Sequence, residues 1–541
     1  MPMNLFLLFC AVIMIACIAG SKLSGRLGVP TLLLFIALGM LFGSDGIFRI
    51  HFEDYAFSEK ICSAALIIIM FYGGFGTKWS TAKPVAVQSI LLSTLGVLIT
   101  AGLTGLFCRF VLGFGLLEGM LIGSVLGSTD AASVFSILRS QRLNLKYGTA
   151  PLLEIESGSN DPCAYMLTVT LLAAMGGGVS AGGIAWSVAA QLLFGIGGGI
   201  LTAAAAGWVL RNVPLGSDGF ESIFLVAAAV ASYALPSLLG GNGYLSAYLA
   251  GILLGNQEIP GKKSLVNFFD AFNGMMQMLI FFLLGLLVSP SRLPQVFLPA
   301  VLIALFLTVI ARPAAVALLL APFKAPLNQQ MIVSWAGLRG AASIVFSITA
   351  AVSSEYGKES IFQIVFCVVL LSLLFQGTLL PLASRKLDMI DDRENVLKTF
   401  NDYSEESSVR FIQLEIGAGH PWGGSRIRDI PSIPGTLIAA VIRNGSAIIP
   451  KGDTLLETGD SVIIGGEEYQ DQDGIELTEI HVTPGSPAAG RQLKDAGLRR
   501  DCLVVLIRRD QTDIIPDGET VIESGDLLVL FTRRKLETAA R

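Results

Sequence analysis

Glu154-Ile155-Glu156-Ser157-Gly158-Ser159-Asn160-Asp161-Pro162 puts three carboxylates, an amide and a proline inside an otherwise apolar run, 149–175. A charged side chain at bilayer depth costs about 2.5–3.5 kcal/mol on insertion scales, so each one kept there is a candidate for function. Spacing sharpens the reading. Glu156 and Asn160 lie four residues apart and share a helix face; Ser157 and Asp161 share the neighbouring face. Pro162, with Gly and Ser around it, loosens the local helix and frees backbone carbonyls.

The surroundings of this stretch are those of a membrane protein. Of 541 residues, 15% are charged, against about a quarter in soluble domains. Thirteen apolar stretches are long enough to span: 4–20, 30–43, 61–76, 84–112, 117–139, 149–175, 184–210, 220–239, 243–256, 265–288, 296–321, 329–352 and 360–383. The first lacks a basic leader and is followed by more apolar sequence, so it reads as a span and not as a signal peptide. Alternate loops hold Lys22/Arg26, Lys78/Lys83, Arg139/Arg142/Lys146, Arg211, Lys262/Lys263, Lys324 and Arg385/Lys386. The bias of Lys and Arg to the cytoplasmic side therefore predicts an outer N-terminus and a cytosolic tail, in a bacterial inner membrane.

Two further spans carry polar breaks. The fifth holds Gly127-Ser128-Thr129-Asp130-Ala131, and the twelfth holds Gly337-Leu338-Arg339-Gly340; Arg312 lies in the eleventh. With Glu154, Glu156 and Asp161 these make four carboxylates and two guanidiniums in two runs about 170 residues apart, as when two halves of a transporter meet at a central site. A carboxyl withdrawn from water prefers to be neutral, so proton and cation would compete for Asp161, with Asn160 uncharged beside it. One titrating carrier implies one-for-one, electroneutral exchange. Glu156 with Arg339 reads as a structural ion pair, because Arg does not deprotonate. Asp130 either lines the site or caps a half-helix; Arg312 and Glu154 serve gating or packing. Gly195-Ile196-Gly197-Gly198-Gly199, inside a span, reads as close helix packing and not as a nucleotide loop.

The last part of the chain repeats itself. Residues 435–466 align without a gap on 501–532, with ten identities that include Arg443/Arg509, Pro450/Pro516 and Asp460/Asp526. Short β-rich runs between Gly-Asp and Pro-x-Gly turns predict two small α+β modules, 409–470 and 474–535. An acidic linker, 386–408, joins them to the membrane part, 1–385. The expected architecture is an α-helical polytopic membrane protein with about thirteen transmembrane helices, an inverted repeat with broken helices, and a soluble α+β C-terminal region of two repeated modules.

The sequence also excludes several classes. A net charge of −5 with no basic stripe leaves no footprint for nucleic acid. Seven scattered cysteines give neither a disulfide set nor a metal site. His51, His420 and His481 all lie outside the spans, so a His-dependent intramembrane enzyme is excluded. A cation channel regulated by the tail would need a Thr-Val-Gly-Tyr-Gly type filter, which is absent.

Glu156-Ser157-x-x-Asn160-Asp161, Thr129-Asp130 and Gly337-Leu338-Arg339-Gly340 together resemble the electroneutral branch of the sodium/proton exchanger family over roughly residues 5–385. That resemblance implies a homodimer with a moving core. It implies a cation held by Asp161 and Asp130 with oxygens from Thr129 and Ser157, and Glu156 bridging Asn160 to Arg339. Many relatives carry an acidic residue before the Gly-Gly of the third span; here the sequence is Phe71-Tyr72-Gly73-Gly74. Each tail repeat resembles the RCK-C (TrkA-C) module of potassium-conductance regulators. This implies potassium over sodium, no tightly bound cofactor, and a regulatory nucleotide such as cyclic di-AMP at Arg443, Asn444, Ile449, Pro450, Arg509, Ile515 and Pro516; a purely structural tail is the alternative.

Overall fold

The computed structural model describes residues 3–27, 30–141, 143–177, 180–213, 215, 218–259, 261–358, 360–391, 409–417, 419–430, 435–443, 446–467, 475–483, 486–497, 502–509 and 512–533. The chain forms two compact units, Met1–Val396 and Leu397–Arg541. Most of the linker and Asn444 lie outside the described residues.

The first unit is helical. Its principal helices are α1 Met3–Leu27, α2 Thr31–Phe42, α3 Tyr55–Gly76, α4 Lys83–Phe110, α5 Leu116–Val125, α6 Ala131–Ser140, α7 Thr149–Met175 and α8 Ala181–Asn212. They continue as α9 Asp218–Leu238, α10 Gly243–Gly255, α11 Lys262–Leu287, α12 Pro290–Phe323, α13 Leu327–Trp335, α14 Ala341–Val352 and α15 Ser360–Lys386. Each apolar stretch read from the sequence falls on one helix, except 117–139 and 329–352, which are each a broken pair (α5/α6 and α13/α14). Among the described residues seven helices are long and apolar enough to cross a membrane. The α7 helix has the length but carries Glu154, Glu156, Asn160 and Asp161.

Small residues let the helices meet backbone to backbone. A Cβ on Gly251 or Gly255 of α10 would overlap the carbonyls of Phe71 or Phe75 on α3, and one on Gly285 of α11 would overlap that of Ile36 on α2. Close approach of this kind replaces the hydrophobic drive that a bilayer does not supply between helices. The glycines of α8 behave similarly: Gly195 and Gly199 lie against Asn242 and Ser246. Three helices contain one π-helical turn each: Leu92–Gly96 in α4, Leu307–Ala311 in α12 and Ser372–Gly377 in α15. Such turns shift the face on which later side chains emerge.

The second unit holds two antiparallel sheets. In the first, β1 Val409–Glu415, β2 Thr436–Arg443, β3 Ser446–Ile448 and β4 Ser461–Glu467 lie in the order β1-β4-β2-β3. In the second, β5 Ile475–His481, β6 Cys502–Arg509, β7 Thr512–Ile514 and β8 Leu527–Arg533 repeat it as β5-β8-β6-β7. The bulge at Ile438/Ala440 recurs at Val504/Leu506. Each sheet is tied to its own turns by an arginine. Arg443 donates from Nε and Nη2 to Asp460, both at 2.8 Å, from Nη1 to Glu457 at 2.6 Å and from Nη2 to the Leu455 carbonyl at 2.7 Å. Arg509 makes the same set with Asp526, Glu523 and Val521.

The Arg443 guanidinium holds the Asp460 carboxyl below the usual carboxylate range, as Arg509 does for Asp526. A carboxyl whose folded-state value is depressed adds stability that is fully present above the ordinary carboxylate value and is lost as pH falls through the depressed one. In the full-length protein, protection of the Glu457 and Glu523 amides against hydrogen exchange, both donors to these carboxylates, is expected to fall in Asp460→Asn and Asp526→Asn respectively, and in the native protein only under acid conditions.

Candidate functional site: two crossed helix breaks beside Asp161

The two interrupted pairs cross at their breaks. Between α5 and α6 the chain leaves the helix through Ser128-Thr129-Asp130, and between α13 and α14 through Leu338-Arg339-Gly340. Backbone left unpaired inside a membrane protein must find partners, and here each break supplies the other. The Asp130 amide donates to the Leu338 carbonyl at 2.8 Å. Arg339 Nη1 donates to the Ser128 carbonyl at 2.9 Å, and the Ser343 hydroxyl reaches the same oxygen at 3.5 Å. A Cβ on Gly340 would collide with the Asp130 carboxylate, so the crossing needs glycine there. The charges suit the helix ends. Asp130 stands at the amino ends of α6 and α14, and the Arg339 guanidinium lies against a carbonyl just past the carboxyl end of α5, as the peptide dipoles favour.

The α7 helix runs beside the crossing and locks Thr129. Asn160 Nδ2 donates to Thr129 Oγ1 at 2.5 Å, the Thr129 amide donates to Asn160 Oδ1 at 3.4 Å, and Ser157 Oγ donates to the Thr129 carbonyl at 2.7 Å. The Ser128 hydroxyl donates to Asp161 Oδ1, and Ser133 donates its amide and hydroxyl to the two oxygens of Asp130. The structure thus brings together Asp161, Asn160, Ser157, Thr129 and Asp130. Carbonyl and hydroxyl oxygens keep a second lone pair after accepting one bond, so Thr129 retains oxygen capacity towards a cation. Among the described residues no cluster of three or more His, Cys, Asp or Glu is arranged to hold a metal.

The ion pair expected between Glu156 and Arg339 is corrected. Glu156 faces Arg312 at 2.5 Å, with 1% and 4% of the two side chains exposed, and no pair with Arg339 falls within 4.0 Å. The physical reason is the break itself. Gly337 clears the path of Arg312, since a Cβ there would stand 3.0 Å from its Nε; Arg339 is taken up by the Ser128 carbonyl. Arg312 directly follows the π turn of α12 and also reaches the Val333 carbonyl at 3.5 Å. Neither Glu156 oxygen has hydrogen-bond geometry to any donor, so the pair is held by charge and packing. Glu154 is exposed and stands outside this cluster.

Sequence reasoning quoted Ser128 within the fifth-span motif without assigning it a role, and it passed over Ser133, Ser343, Ser372 and Gln376. Ser372 accepts the Arg339 amide at 3.2 Å and donates to Gln376 at 2.6 Å, and Gln376 clasps Trp335 across the break at 3.1 and 3.3 Å. The Ser-x-x-x-Gln spacing within an apolar span was the available signal. In the tail, Arg443 and Arg509 are committed to their own modules. Ile449 and Ile515 are 86% and 87% exposed, and Pro450 and Pro516 are half-buried.

Crossed breaks facing a buried carboxylate are the architecture of a secondary transporter. The chain belongs to the sodium/hydrogen exchanger family: the family described as "Sodium/hydrogen exchanger, transmembrane" matches residues 13–386, and TrkA-C domains match 411–468 and 477–540. It is 36% identical over 475 residues to the K(+)/H(+) antiporter NhaP2 of Shewanella oneidensis, covering 86% of this chain and 82% of that one. To the K(+)/H(+) antiporter NhaP of Alkalimonas amylolytica it is 34% identical over 468 residues, covering 85% and 81%. The fold is shared with the sodium proton antiporter MjNhaP1 from Methanocaldococcus jannaschii, with a TM-score of 0.63 at 23% identity over 71% of this chain and 99% of that one. The protein is a membrane-embedded cation/proton antiporter, a transporter and not an enzyme.

Removing one partner of a buried ion pair strands the other charge, at about 3–5 kcal/mol, whereas replacing both with apolar or neutral groups is far milder. Arg312→Met alone is expected to lower the melting temperature of the detergent-solubilised protein strongly. The double substitution Arg312→Met with Glu156→Gln is expected to recover most of it, while Arg339→Met is not rescued by Glu156→Gln.

Proposed function

We propose that the protein exchanges potassium for protons, one ion for one proton, at Asp161. One observation carries this reading: the two buried carboxylates of α7 are treated differently. Glu156 is neutralised by Arg312, whereas Asp161 forms no ion pair within 4.0 Å among the described residues and meets a neutral hydroxyl, that of Ser128. A buried carboxylate without a resident countercharge is stable when protonated or when a mobile cation sits on it. Proton and cation then alternate, and both loaded forms carry the same charge. Asp130, Thr129 and Ser157 complete the oxygen surroundings of the cation.

Potassium is favoured by the two relatives named as K(+)/H(+) antiporters and by the TrkA-C pair. The Lys and Arg bias of alternate loops supports an outer N-terminus and a cytosolic tail in the cell membrane. The tail regulates exchange within a homodimer, and a nucleotide such as cyclic di-AMP is the ligand to try. Its apolar contacts would be Ile449, Pro450, Ile515 and Pro516, since both module arginines are already bound internally.

Full-length protein in sealed vesicles with a trapped pH dye is expected to move protons when K⁺ is added and to generate no membrane potential. Asp161→Asn is expected to abolish this movement. Cation flux without proton movement, or full activity in Asp161→Asn, would discard the mechanism; a response to Na⁺ alone would overturn the choice of ion.

A further inference from the structure

One buried polar group near Asp161 takes no part in the network around the crossing. Tyr248 of α10 is 4% exposed, and among the described residues its hydroxyl has no hydrogen-bond partner. We propose that this hydroxyl is an oxygen ligand of the monovalent cation held at Asp161, contributed to the ion site by α10. The proposal rests on the antiport reading above and deepens it, adding a ligand from outside the crossing and α7.

Two glycines set the position of this tyrosine. A Cβ on Gly74 of α3 would collide with the Tyr248 carbonyl, so the main chain of α10 lies directly against α3. At the far end of the side chain, a Cβ on Gly158 of α7 would stand 2.5 Å from Cε2, 2.6 Å from the hydroxyl oxygen and 2.7 Å from Cζ. The hydroxyl therefore meets α7 at a residue without a side chain. Asp161 is three residues further on and shares that face. A helical side chain leans back over the turn before it, which directs the Asp161 carboxylate towards the turn of Gly158. The charges of Glu154 and Asp161, one turn to either side of Gly158, both act on the Tyr248 hydroxyl.

The chemistry at this point suits a cation. Pro162 has no amide to offer the Gly158 carbonyl four residues earlier, so that oxygen lacks its usual helical partner. Thr77, just past α3, stands beside the Tyr248 hydroxyl but gives its own proton to the Gly73 carbonyl at 2.8 Å. Thr77 can therefore only accept from Tyr248, which leaves the phenolic lone pairs for the ion. A buried hydroxyl without a partner is costly, and a mobile cation supplies one whenever the site is loaded. A tyrosine kept for packing alone would need its ring and not its oxygen, and phenylalanine would serve equally.

The test is initial-rate cation/proton exchange by full-length protein in vesicles across a range of K⁺ concentrations, normalised to inserted protein. Thermal stabilisation of the solubilised protein by K⁺ is the second readout, since an ion that binds the folded state stabilises it. Tyr248→Phe, with Tyr248→Met as the second variant should the first fail to insert, is expected to raise the KM for K⁺ about ten-fold. The maximal rate is expected to change little, and the stabilisation by K⁺ to shrink. An unchanged KM in these variants, or a fall in maximal rate at the native KM, would overturn the proposal while leaving the antiport reading intact. Absence of exchange in the native protein would instead sink that reading itself.

Discussion

Everything at the centre of this membrane unit depends on how two interrupted helices satisfy the backbone groups that interruption frees. At membrane depth no water stands ready to accept them. The Asp130 amide to Leu338 carbonyl bond, at 2.8 Å, and the Arg339 contact to the Ser128 carbonyl, at 2.9 Å, answer both breaks at once. Each break is the other's partner, so neither is stable alone. The crossing fixes where Thr129 and Asp130 sit, α7 docks against it through Asn160 and Ser157, and Asp161 is thereby placed beneath Ser128.

The crossing also explains how the charges are shared out. Two guanidiniums and the buried carboxylates lie close together, yet they do not simply pair off. Arg339 serves a backbone carbonyl, Arg312 neutralises Glu156, and Asp161 has neither. The π turns in α12 and α15 take part in this division. One immediately precedes Arg312, and the other carries Ser372 and Gln376 to the Arg339 amide and to Trp335. A regular helix would present different faces at those positions. The scaffold therefore uses its fixed cations for its own repairs.

Much of the architecture was readable from the chain. Apolar stretches of sufficient length give the helices, and polar residues between them at Gly127–Ala131 and Gly337–Gly340 mark the breaks, because such residues are tolerated only where helices open. The tail repeat was legible because its identities fall on turn residues and on the Arg443/Asp460 and Arg509/Asp526 pairs, which the folded modules use in the same way. Pairing inside the membrane was less legible. Glu156 has two candidate arginines 156 and 183 residues further along the chain, and nothing local decides between them; the choice depends on a glycine that clears space for Arg312 and on a carbonyl that claims Arg339. Ser128 was hidden for another reason, since a serine in a Gly-Ser-Thr run reads as breaking the helix, and its hydroxyl partner is 33 residues away.

One side of the site is closed by packed rings, which bears on the proposed exchange. One turn beyond Asp161 on α7, Tyr165 packs on Tyr244 at 4.8 Å and on Phe346 at 5.5 Å, with Tyr233 on Tyr244 at 4.8 Å. Glu59 closes over this layer, accepting from Ser63 at 3.3 Å and Thr349 at 3.4 Å. The layer joins α7 and α14, which frame the crossing, to α3, α9 and α10. A cavity lined by residues of α1, α2 and α11 reaches Ser133 of α6. Under the proposed exchange, the layer of packed rings is a seal on the Tyr165 side of Asp161. Opening it means parting Tyr165, Phe346 and Thr349 from Tyr244, Tyr233 and Glu59. A loaded, neutral Asp161 makes such a movement far less costly than an ionised one carried through low dielectric. Under the proposed mechanism, obligatory exchange follows from the same fact that singles Asp161 out: its countercharge would come and go with the ion, whereas that of Glu156 is fixed in the scaffold.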